Sequence, residues 1–174
     1  MRRVSLNMRQ SLEAVGSDEV EVALMYITHP LIDEPVRLSS DNTVRLSDEP
    51  LMYGTRSTWM GSDPETEPFL FVMIDTILPS DLEDAPAAGN IVIENVDNDI
   101  AKVLRSFTNL ATLHIAVVLA SSPSLIELEY RDLAITNAEI DAGTIRLDFS
   151  RENTDDERYP SGRFTKDRFP GLHR

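Results

Sequence analysis

The segment Asn90 to Phe107, NIVIENVDNDIAKVLRSF, constrains the chain most, because its apolar period changes from two residues to 3.6 across a single turn. Ile91 and Ile93 fall on one face of a short alternating run, with Val92, Glu94 and Val96 opposite, so residues 91 to 96 suit a strand with one buried face. Asp97 or Asn98 can cap a following helix, since a short side-chain oxygen accepts the first free backbone N–H groups. Ile100, Val103, Leu104 and Phe107 then recur at three- and four-residue spacing and make one apolar stripe. Strand and helix are thus expected to share a core. Asn95, Asp97 and Asp99 could also open a calcium loop, but no glycine stands at its sixth position and Ser106 occupies the place of the bidentate glutamate, which favours capping.

Alternating runs recur on both sides of this unit. Ser5 to Ala14, followed by Gly16, predicts a short N-terminal helix. Glu19 to Thr28 alternates as a strand, with Met25 and Ile27 suggesting cover on its second face, and His29-Pro30 ends it. Residues 36–38 and 44–46 read as a hairpin about the polar cluster 39–42, and residues 68–78 as one central strand buried on both faces. Thr112 to Ala120 is a further core strand. Residues 125–130, 133–140 and 144–149 alternate, with Arg131-Asp132 at tight-turn spacing and Gly143 permitting the next turn. Hairpin-connected strands with one packed helix and a short N-terminal helix predict a mainly β (α+β) fold built on an antiparallel sheet.

Residues 47 to 67 break every period, through Pro50, Gly54, Gly61 and Pro64, yet carry Leu51, Met52, Tyr53, Trp59 and Met60. A long loop is expected, either folding its apolar residues back onto the body or inserting Tyr53 and Trp59 into a partner subunit; the aromatics favour the arm. Residues 151 to 174 form a second candidate arm beyond a single domain at 1 to 150. Tyr159, Phe164 and Phe169 are interleaved there with Arg163, Lys166 and Arg168. From Arg158 onward five basic residues face one acid, a local +4 that leaves −18 on residues 1 to 157 of a chain whose net charge is −14. Such a tail suits docking on an acidic neighbour. The acidic body does not suit a grip on nucleic acid, which needs clustered Lys and Arg.

No constellation for catalysis emerges. His29, His114 and His173 lack metal-ligand spacing, no serine sits in a nucleophile elbow, and there is no phosphate-binding glycine loop. His114 reads as a satisfied core or rim histidine. The absence of cysteine excludes thiol chemistry and disulfides. No cofactor or metal is expected, and no apolar run of about 18 residues predicts a membrane span. Synthesis and folding in the cytoplasm are expected.

Taken together the segments resemble a bacteriophage tail protein family, the domain-of-unknown-function family numbered 1833. The resemblance rests on the N-terminal helix, LMYITHPLIDEPVRLSSD (24–41), NIVIENVDNDIAKVLRSF (90–107), IAVVLASSPSLIELEYRDLAITNAEI (115–140) and PSGRFTKDRFPGL (160–172), which together cover most of the chain. A looser similarity is to the N-terminal portion of siphophage tail-hub and minor tail proteins, those of gene transfer agents included. The resemblance implies a β-sandwich or tail-tube-like barrel packed into a ring, trimer or hexamer, at the tip or baseplate of a long non-contractile tail in the virion. It implies structural contacts with copies of itself and other tail proteins around a DNA channel, and no enzyme. The rival reading is a tail-associated module for carbohydrate or host surface, with Trp59 and Tyr53 as stacking platforms.

Overall fold

The structure, a computed structural model, describes residues 4–77, 88–94, 111–141 and 143–151. Helix α1 (Leu6–Glu13) is capped by Ser5, whose hydroxyl accepts the Met8 N–H at 3.1 Å, and only Met8 of the helix is buried. Among the described residues ten strands follow, β1 (Glu21–Thr28), β2 (Val36–Ser39), β3 (Val44–Asp48), β4 (Leu51–Thr55), β5 (Phe69–Phe71), β6 (Ile74–Ile77), β7 (Ala88–Glu94), β8 (Thr112–Leu119), β9 (Ser122–Ile140) and β10 (Thr144–Arg151). They form one sheet in the order β3-β4-β5-β2-β1-β8-β9-β10-β7-β6, curled into a half-barrel. Every pairing is antiparallel except β2 with β5.

The curl follows from one segment. β5 and β6 are separated by two residues, yet β5 lies between β4 and β2 while β6 lies at the far edge beside β7. The Val72 N–H bonds the Ser39 carbonyl and the Met73 carbonyl accepts the Glu94 N–H, so residues 69–77 hand over from one flank to the other and bridge the open side. The single central strand expected over 68–78 is therefore two short strands with different partners. Phe69 is buried in one core cluster and Val72 in the other, whereas Leu70 and Met73 are exposed.

Two cores sit on opposite faces of the sheet. Inside the curl, Met25, Ile27, Leu38, Ile91, Ile93, Leu113, Ile115, Leu133, Ile145, Leu147 and Phe149 pack together. Ile91 and Ile93 take the core places expected of them, at 0% and 1% exposure. Outside, Val22, Leu24, Ala116 and Val118 are covered by Trp59 and Phe69. Strand β1 thus contributes to both clusters, consistent with the apolar residues on both faces of its sequence. The helix expected over 97–107, with Ile100, Val103, Leu104 and Phe107, lies outside the described residues, as does the candidate calcium loop.

Three further expectations are corrected. Residues 36–38 and 44–46 do not form a hairpin, since β2 pairs with β1 and β5 while β3 pairs with β4. The intervening polar cluster turns the chain away: Asp41 accepts the Thr43 N–H and hydroxyl on its two carboxylate oxygens, and the Ser39 hydroxyl accepts the Asp41 N–H. Residues 47–67 are not loop throughout, because Leu51–Thr55 is a strand following a tight connection through the cis Glu49-Pro50 bond. Arg131-Asp132 is not a turn: β9 runs through it as a β-bulge. Leu133 and Tyr130 pair with Leu113 and Ile115, so two residues face the single residue His114, and Asp132 adopts φ 55°.

Candidate functional site

Residues 44–67 contain two surfaces of opposite character. The first is the β3–β4 hairpin. β3 is a free sheet edge among the described residues, and the hairpin exposes Val44, Leu51 (56%), Met52 and Tyr53 (39%). It is seated on the body at Gly54, where a Cβ would fall 1.9 Å from the Phe69 carbonyl oxygen; only glycine allows β4 so close to β5. The edge is partly guarded by an irregularity between Arg45 and Ser47 and by the exposed Arg45–Asp48 ion pair, at 2.7 Å.

The second surface is the segment after β4, which folds back onto the outer face of the sheet. Trp59, in a short 3₁₀ turn (Trp59–Gly61), is 2% exposed. It stacks on Phe69 at 5.8 Å between centroids, meets Tyr26 edge-on at 6.2 Å, and its Nε1–H donates to Glu129 Oε1 at 2.7 Å. The Ser57 hydroxyl donates to the Pro123 carbonyl at 2.6 Å and the Thr58 N–H to Ser124 Oγ. Arg37 donates to Ser62 Oγ and Glu67 and lies over the Tyr26 ring, while Arg56 reaches the Pro64 carbonyl and Glu65. Trp59 therefore does not reach out as an arm; the hydrogen bonds hold it to its own chain, and Tyr53 alone of the expected loop aromatics stands at the surface. Tyr159, Arg163, Phe164, Arg168 and Phe169 lie outside the described residues.

The outer face also carries a titratable cluster that the sequence did not point to as a unit. His114, buried, accepts the Asp132 N–H on Nδ1 at 3.1 Å and lies 6.1 Å from the Tyr26 ring. Burial holds its pKa below the ordinary histidine value, against the pull of Asp132 and with a push from Arg131, while Glu129 pulls it up. Burial works against the Glu129 carboxylate, but the hydrogen bonds from Trp59 and Arg131 outweigh it and leave its pKa below the usual range. A signal for the bulge existed in the spacing: Leu128, Tyr130, Leu133 and Ile135 step by two, three and two, as one extra residue in a strand requires.

Among the described residues no group of three His, Asp or Glu side chains is arranged to hold a metal, and no helix is long and apolar enough to cross a membrane. No family model matches the chain, and no curated protein matches it.

Proposed function

We propose that this chain is a structural subunit of the tip or baseplate of a long non-contractile phage tail, acting by assembly with copies of itself and other tail proteins. The observation that carries the reading is the β3–β4 hairpin, which presents Val44, Leu51, Met52 and Tyr53 from a sheet edge that is free among the described residues, while the segment after β4 is tied down. Leu51 and Tyr53 share one face of β4 and Met52 lies on the other; exposed apolar side chains at a sheet edge suit association, and aromatic residues commonly anchor such contacts. The family resemblance supplies the setting. The net charge of −14 accords with that setting, because a like-charged body does not bind phosphate. The carbohydrate reading has less support, since Trp59 is buried and leaves Tyr53 as the one exposed ring of the two platforms.

Mass photometry of the purified chain, with sedimentation as a function of concentration, tests the assembly. Wild type is expected to form closed oligomers, and the double variant Leu51→Asp/Tyr53→Asp to remain monomeric with an unchanged circular dichroism spectrum. The setting is tested separately by locating the subunit in intact tails by electron microscopy. A chain that stays monomeric at all concentrations and is missing from tails would defeat the proposal.

A further inference from the structure

We propose that the Arg131–Asp132 bulge is an acid-sensitive hinge, released when His114 takes up a proton at Nδ1. Nδ1 accepts the Asp132 N–H at 3.1 Å, so this nitrogen carries a lone pair and His114 is neutral in the bonded state. An imidazolium has N–H groups on both nitrogens. Protonation therefore turns the acceptor into a donor aimed at another donor, and the bond is lost. The bond holds a residue that needs holding, because Asp132 is a non-glycine residue at φ 55°.

The groups facing His114 come from two strands. On β1 it meets the Tyr26 ring, over which Arg37 lies with its own partner Glu67. On β9 it faces Glu129, Arg131 and Asp132. Two of these carboxylates favour the imidazolium and Arg131 disfavours it, but burial dominates and lowers the native pKa. A lowered native value means that the unfolded chain binds the proton more readily. The neutral form's contribution to stability is complete above the unfolded value of about 6.5, begins to fall as pH drops through it, and is fully lost below the native value.

Release at the bulge reaches further than one hydrogen bond. Arg131 Nε donates to the same Glu129 Oε1, at 2.7 Å, that accepts the indole N–H of Trp59. Movement of Arg131 therefore perturbs the anchor of the segment covering the outer core. Trp59 is the sole tryptophan of the sequence and reports on its own position.

The test follows the wild-type chain by NMR and tryptophan fluorescence from neutral pH downward until the His114 imidazole has titrated, and a His114 that is still neutral when the chain unfolds overturns the proposal. The His114 imidazole signal, the Asp132 amide shift and the Trp59 emission are expected to change with one common midpoint. Exchange of the Asp132 amide, corrected for its intrinsic pH dependence, is expected to accelerate about tenfold, the scale of one lost hydrogen bond. In His114→Asn the side-chain oxygen replaces the Nδ1 acceptor and does not titrate, so the Asp132 and Trp59 responses should vanish. The proposal is overturned if His114 protonates while the Asp132 amide and Trp59 stay unchanged, or if His114→Asn keeps the wild-type response. Should that variant not fold, the wild-type midpoints decide, and separate midpoints for His114 and Asp132 overturn it.

Discussion

At the scale of single residues, the structure depends on a few positions whose chemistry is not interchangeable. Gly54 is one, for steric reasons: an added Cβ would meet the Phe69 carbonyl oxygen at 1.9 Å and Leu46 Cδ1 at 2.9 Å. A leucine methyl can swing aside. A carbonyl oxygen in a paired strand cannot move without disturbing the β4–β5 register of Gly54 with Leu70. Gly54→Ala is therefore expected to cost about 1–3 kcal/mol, the range for overpacking, and to lower the urea midpoint of unfolding. An unchanged midpoint would mean that β4 lies further from β5 than described. Trp59 is constrained differently, since its ring fills the outer core while its one polar atom needs Glu129. Its sequence context gave the residue's size but not its direction. An aromatic between glycines and prolines is as compatible with an arm as with a cover, and the difference lies in Pro123, Ser124 and Glu129, roughly seventy positions away in the chain.

At the scale of elements, what the sequence disclosed follows the range of the forces involved. The faces of β1, β7 and β10 were legible because alternation is a local property that burial enforces residue by residue, while β8, buried along nearly its whole length, was legible only as a core strand. Partners were not, since register and neighbours depend on contacts distant in sequence; hence β2 joins β5 in parallel instead of turning back against β3. The Arg131-Asp132 dipeptide was visible as an interruption, but a two-residue hairpin and a β-bulge interrupt alternation in the same way. A deletion separates them. Without Asp132 the spacing from Tyr130 to Leu133 becomes two, so both side chains still point into the inner core and β9 continues as a regular strand. The deletion is expected to leave a cooperative fold, at a cost of about 1–2 kcal/mol for the lost bond to His114 and the altered twist. Loss of cooperative thermal unfolding would show that the bulge is required to shape the sheet.

At the scale of the whole molecule, charge and apolar surface oppose each other in any assembly of identical copies. Each copy brings a net charge of −14, so association must overcome repulsion that acts over the Debye length. The two candidate contacts respond to salt with opposite sign. A contact made by Val44, Leu51, Met52 and Tyr53 of the exposed hairpin is apolar; added salt screens the repulsion between copies and leaves the contact intact. A contact made by the basic segment from Arg158 onward against an acidic body is ionic, and the same salt weakens it. With the hairpin as the principal contact, the oligomer fraction at fixed protein concentration is expected to rise as sodium chloride is raised from about 0.1 to 1 M, over which the Debye length falls from roughly 10 to 3 Å. Sedimentation velocity reads the result directly. A fall in oligomer fraction over that range would transfer the principal contact from the hairpin to the basic segment, and truncation after Arg151 would then abolish assembly where Leu51→Asp does not.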